Sequence, residues 1–224
     1  MLTTTDEHAI DARYRAFWDQ FSHSTIVVGA PPSRRGRHER AAFVVRIIDG
    51  GLFRRLDRIR AAVAEFGGVV PVPDHCLHVP ILTVGDIAPN NRRSGEVSPS
   101  QLEGITKKAH ELLRDVDPTE VRIARVNVGH NEIFAELHPA ESLVKLRDVL
   151  NHAIGGDADQ SPFLPRLPLA RIVAPVKAQS LRQALEWFRD RPIGGLDLHT
   201  VAMVRYDARV VHPALRRIAE LHIS

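Results

Sequence analysis

Pro73 to Gly85 reads P-D-H-C-L-H-V-P-I-L-T-V-G, a strand running into a loop, with His75 and His78 set in an apolar run. The β-branched and aliphatic residues around Pro80 favour extended backbone. A second stretch, Pro162 to Val173, reads P-F-L-P-R-L-P-L-A-R-I-V. The two share a rhythm, H-V-P-I-L in one and R-L-P-L-A in the other, each with a polar residue two places before a proline. Two similar strands, one in each half of the chain, predict a duplicated architecture with one cleft between the halves.

Outward from these strands, helices and strands alternate. Ile10, Tyr14, Phe17 and Phe21 recur at three- and four-residue steps and predict an amphipathic helix over 6–21. A short apolar piece at 26–28 leads into P-P-S-R-R-G-R-H-E-R, where Arg34, Arg35, Arg37 and Arg40 either grip an anion or form a solvated loop. A-A-F-V-V-R-I-I (41–48) is a strand, and Leu52, Leu56, Ile59, Val63 and Phe66 mark one face of a helix stopped at Gly67-Gly68. After the polar loop around Asn90, Asn91, Arg92 and Arg93, S-P-S-Q starts a helix with Ser98 as N-cap, Pro99 as first helical residue and Gln101 completing a capping box. Its buried stripe is Leu102, Ile105, Ala109 and Leu112.

In the second half, E-V-R-I-A-R-V-N-V and E-I-F-A-E-L pair as a hairpin across Gly129-His130-Asn131. A helix follows over 141–154, then the second anchor strand, then a helix over 180–190. L-D-L-H-T-V-A-M-V-R-Y (196–206) alternates and reads as one strand, and A-L-R-R-I-A-E-L-H-I closes the chain as another. The fold class is α+β: a bilobal, duplicated α/β architecture with antiparallel sheets flanking a central cleft and helices outside. Residues 1–40 form an N-terminal helix and basic loop, and 41–224 a single bilobal domain.

Composition bounds the chemistry. A chain of 224 residues, 44% hydrophobic, buries a full core, and 25% charged residues is an ordinary globular share. The net charge of +3 permits phosphate ligands without requiring them. One cysteine, Cys76, allows no internal disulfide and suits a reducing cytoplasm. No apolar run approaches the roughly 20 residues of a membrane span, and the polar start, M-L-T-T-T-D-E-H, carries no signal-peptide core. The expectation is a soluble cytoplasmic protein with no membrane partner; no oligomeric state is read from the sequence. Phosphate loops and the G-x-S-x-G elbow are absent, and His75, Cys76 and His78 alone do not make a zinc set, so no metal and no cofactor is expected.

The order of elements and both anchor strands resemble the two-histidine (2H) phosphoesterase superfamily, which includes 2′-5′ RNA ligase-like proteins and cyclic phosphodiesterases. The resemblance spans about Ala41 to the end. L-H-V-P-I-L-T-V-G is similar to the family's first His-x-Thr strand, and F-L-P-R-L-P-L-A-R-I to the second. H-N-E-I-F-A-E-L-H-P with the following helix matches the middle hairpin and helix, and G-G-L-D-L the strand near the end. In that family two His-x-Thr motifs face each other across the cleft, one histidine as general base and one as general acid, with the hydroxyls holding phosphate. Histidine suits this work because its ordinary pKa lies near neutrality.

Carried over, the first histidine is His78 and the catalytic candidate. Its threonine is replaced by Pro80, the second histidine by Arg166 and the second threonine by Pro168. Arginine moves no proton near neutral pH but holds phosphate through parallel hydrogen bonds. Proline offers neither hydroxyl nor N–H, so a bulge or free edge is expected at each.

Arg171 matches a family arginine and joins Arg166 as a phosphate-binding candidate. Its strand parity is opposite to Arg166, which leaves a structural ion pair as the alternative. His75, His130, His199 and Tyr206 are the auxiliary candidates to replace the lost histidine. His75 sits at odd spacing from His78, which on a regular strand turns it to the other face. His130 lies in a hairpin turn, where solvent exposure is the default. His199 falls on the face of Val201, Met203 and Arg205, either cleft wall or outer sheet. Two functions follow. One is a divergent phosphodiesterase acting on an RNA end, a 2′,3′-cyclic phosphate or a cyclic nucleotide. The other is an inactive homologue that keeps the cleft as a phosphate-ligand receptor or protein-interaction module.

Overall fold

Leu52, Leu56, Ile59 and Val63 all point into the core from one helix face, and Asp49 starts that helix by accepting from the Gly51 N–H at 2.7 Å. The capping box at Ser98 and Gln101 forms as the sequence predicts, with Pro99 in the first turn. The structure, a computed structural model, describes residues 4–27, 39–90, 93–155 and 163–224. In chain order the elements are α1 (Thr4–His23), β1 (Ile26–Val27), β2 (Glu39–Arg46), α2 (Gly50–Ala64), β3 (Val69–Pro71), β4 (His78–Ile87), β5 (Glu96–Val97) and α3 (Pro99–Leu113). The second half contains β6 (Thr119–Val128), β7 (Glu132–His138), α4 (Ala140–Ala153), β8 (Arg166–Ile172), β9 (Val176–Lys177), α5 (Ala178–Arg189), β10 (Gly194–Leu198), β11 (Thr200–Asp207) and β12 (Arg216–His222).

Two five-stranded sheets carry the fold, in the orders β10-β6-β7-β8-β3 and β12-β11-β2-β4-β5. Helices α2 and α5 back the first sheet, α3 and α4 the second, and the anchor strands β4 and β8 meet between them. Alternation sorts the side chains of the second sheet. Phe43, Val45, Val201 and Met203 face the main core, while Ala42, Val44, Ala202 and Val204 form a separate small-residue cluster on the other face. The fold is α+β with antiparallel-rich curled sheets and outer helices, as the sequence predicts.

Three local readings differ. The run 196–206 is two strands: β10 pairs with β6 in one sheet, β11 with β2 in the other, and the chain crosses at His199. The core-facing residues pass from even positions, Leu196 and Leu198, to odd ones, Val201 and Met203, so the alternation shifts by one place across His199-Thr200. On α3 the buried residues are Leu102, Ala109 and Leu113, while Ile105 and Leu112 are half-buried. Glu39 and Arg40 already belong to β2, ahead of the boundary expected at 41. Arg34, Arg35, Arg37, Asn91 and Arg92 lie outside the described residues.

Helix α1 lies on the inner face of the first sheet. Ile10 and Tyr14 bury against Phe134, Ala140 and Leu164, with Phe17 edge-on to Phe134 at 6.1 Å. Arg13 donates to the Phe163 carbonyl at 3.0 Å and the Tyr14 hydroxyl to that of Pro165, so α1 holds the approach to β8. Beneath it Glu136 is fully buried. Burial pushes its carboxyl up, but hydrogen bonds from His138, Arg189 and Asn127 together outweigh this and hold it below the usual range. Arg189 reaches it at 2.6 Å and stacks over Trp18 at 4.6 Å.

Removing Arg189 strands that buried charge. Arg189→Met is expected to lower unfolding stability by about 3–5 kcal/mol at neutral pH. The loss shrinks in acid, where protonation neutralises Glu136; urea titrations at two pH values check both.

Candidate functional site

Proline lacks the amide proton that a strand neighbour needs, and the ladder gives way at both anchor prolines. Val44 pairs with Pro80 but Phe43 with Leu82, which leaves Ile81 as an extra residue. Phe134 pairs with Pro168 but Ile133 with Ala170, which leaves Leu169 extra. Each bulge resets the alternation that follows it. On β4 the cavity side therefore runs His78, Pro80, Thr83; on β8 it runs Arg166, Pro168, Arg171. The parity that set Arg171 apart from Arg166 is reversed by the bulge.

Between these strands lies a cavity of about 580 Å³. Ala42 and Val44 floor it, and the loop from Ala208 to Leu215 closes one side. Pro80 and Pro168 line it without filling it. Its charged lining comprises Arg40, Arg147, Arg166 and Arg171 against Glu132. Arg166 binds Glu132 and donates to the Leu164 carbonyl at 3.1 Å. Arg40 donates to Asp86 at 2.8 Å and hydrogen-bonds Tyr206. Gly85 lets the chain reach Asp86 past the neighbouring strand, since a Cβ there would stand 2.5 Å from the Gly95 carbonyl oxygen. The guanidinium of Arg147 lies 4.8 Å over the Phe163 ring. Arg171 differs: its Nε is buried with no hydrogen-bond partner, and it makes no ion pair among the described residues. A buried donor left unmade costs roughly 1–3 kcal/mol until something accepts from it.

His78 stands on the opposite strand. Its Nδ1 lies 2.6 Å from the Cys76 carbonyl, which can only accept, so Nδ1 carries the proton and Nε2 keeps its lone pair. Burial lowers its pKa, opposed by the bond to Cys76, so the ring is neutral at pH 7. The Tyr206 hydroxyl also lines the cavity; burial raises its pKa, partly offset by Arg40, so it remains protonated.

The remaining auxiliary histidines lie outside the lining. His75 sits exposed in a 3₁₀ turn, Asp74–Cys76, so strand parity does not apply to it. His130 packs edge-on against Phe17 at 5.7 Å beside a separate hollow of about 160 Å³. His199, expected on a strand face, is exposed at the sheet crossing. Sequence reasoning missed Thr83, Glu132, Arg147 and His212. Counting a bulge at each mid-strand proline finds Thr83; the other three are brought in by tertiary contact alone. Among the described residues no group of three or more His, Cys, Asp or Glu forms a metal site.

No family model matches the chain, and no curated protein does. Solved structures share its fold, E. coli LigT among them. Protein TT0787 of Thermus thermophilus superposes with a TM-score of 0.61 at 21% identity, covering 82% of this chain and 97% of that one. E. coli LigT superposes at 0.60 and 13% identity over 84% of this chain and 98% of its own. A third structure, described as a phosphoesterase, gives 0.60 at 14% identity over 83% and 99%. LigT has been crystallised with 3′-AMP, ATP and phosphate.

Because the folded His78 resists protonation, the unfolded chain binds protons that the folded chain does not as pH falls below about 6.5. Stability is therefore expected to drop through that pH toward the lowered folded pKa. His78→Asn flattens that dependence, read from urea midpoints between pH 8 and 5.

Proposed function

We propose that the cleft binds a phosphodiester ligand, an RNA end, a 2′,3′-cyclic phosphate or a cyclic nucleotide, with His78 as an acid–base group beside it. The observation that carries this is Arg171, whose buried Nε lacks a partner among the described residues at the wall of a cavity otherwise furnished with arginines. A phosphate oxygen accepts from such a donor strongly, and Arg166, steadied by Glu132, offers a second contact. Thr83 supplies a hydroxyl on His78's strand where Pro80 has none. The volume is that of a nucleotide-sized site, and the nucleotides and phosphate crystallised with LigT support the ligand class.

A second reading is a catalytically inactive receptor. It is favoured by Arg166, which stands where the resemblance puts the second histidine and is tied to Glu132. Both readings need binding. A 2′,3′-cyclic phosphate-terminated oligonucleotide is expected to bind by calorimetry, and Arg171→Ala to weaken it about 10- to 100-fold. Arg166→Ala gives a loss in the same direction. Binding unchanged by Arg171→Ala would contradict the proposal.

A further inference from the structure

Opening a phosphodiester needs one group to take a proton from water and another to give one to the departing oxygen. On the anchor strands only His78 has the right pKa range, but the cavity holds a second histidine from the loop between β11 and β12. Among the described residues His78 and His212 are the two histidines that line it. His212 is fixed rather than loose: its Nε2 lies 3.1 Å from the Val70 carbonyl, an acceptor only, so Nε2–H donates and Nδ1 is left for other work. Val70 pairs with Arg171, which sets His212 at the phosphate-binding end of β8. The loop is also tied to the turn that orients His78. Cys76 donates its thiol to the Pro213 carbonyl at 3.1 Å, while its own carbonyl holds His78.

We infer that His212 is the second acid–base group of this cavity, working with His78 to open a cyclic phosphodiester. The inference rests on the phosphodiester reading above. His78 Nε2 takes a proton from water as the water oxygen bonds to phosphorus. One ring P–O bond breaks, and protonated His212 gives its Nδ1 proton to the departing ribose oxygen, leaving a phosphomonoester and a free hydroxyl. Charge around His212 sets the working pH. Burial lowers its pKa, the Val70 bond opposes this, and the Arg171 charge and His75 push it further down. His78 is lowered as well. The pair with His78 neutral and His212 charged is therefore populated on the acid side of about 6.5.

The test is turnover of a 2′,3′-cyclic mononucleotide from pH 5 to 8.5, with binding of inorganic phosphate measured in parallel. Wild type is expected to show a bell-shaped rate with its maximum below about 6.5. His212→Gln is expected to keep phosphate affinity within about threefold while losing turnover about 100-fold or more, together with the alkaline limb of the profile. A 4-nitrophenyl phosphodiester, whose leaving group needs no proton, restores most of the rate in His212→Gln but not in His78→Gln. Wild-type turnover with an unchanged profile in His212→Gln overturns the inference. Phosphate binding without turnover at any pH also overturns it but spares the binding reading, whereas no binding at all removes both.

Discussion

A proline in mid-strand has no amide hydrogen to give, and the two anchor strands each place one where the ladder would need it. Both ladders answer with an extra residue beside the proline, Ile81 opposite β2 and Leu169 opposite β7, and β4 slips once more at Val84. The places of Thr83 and Arg171 on the cavity depend on the slips at Ile81 and Leu169. Without them Thr83 and Arg171 would point into the helix-backed core, where an unpaired guanidinium is prohibitively placed. With them, each strand presents a polar residue, a proline and a second polar residue to one cavity. The duplication legible in the sequence is thus a duplication of defects as well as of strands.

The halves have diverged in charge. On the β4 side the polar residues are neutral, His78 held by a backbone carbonyl and Thr83. On the β8 side they are two arginines, one matched to Glu132 and one with an unmade buried bond. Under the proposed function, a ligand bridging the cleft would meet His78 on one wall and the arginines on the other. Helix α1 supports this arrangement from beside the cavity. Its Arg13 and Tyr14 fix the carbonyls of Phe163 and Pro165, and so the point where β8 begins.

Much of the fold is legible because its signals are local. Helix periodicity around Leu52 and the capping box at Ser98 are written in neighbouring residues. His78, Arg166, Pro80, Pro168 and Tyr206 fall on the cavity because a strand's period is two and the resemblance fixes where to count from. A parity count that ignores the bulge turns Arg171 to the wrong face. His199 sits where the apolar alternation changes parity between Leu198 and Val201, a local mark that a single-strand reading of 196–206 passes over. His212 is invisible to the same reading because it reaches the site through a loop, V-V-H-P, whose neighbours along the chain carry no chemical pattern.

Phosphate binding in this cleft, as proposed, turns on the unmade bond of Arg171. The most direct measurement is the arginine Nε–Hε spectrum of nitrogen-labelled protein, titrated with a 2′,3′-cyclic mononucleotide and assigned with Arg171→Lys. The Arg171 proton is expected to move downfield and saturate as its unmade bond is filled. Saturable shifts elsewhere while the Arg171 resonance stays fixed would contradict it.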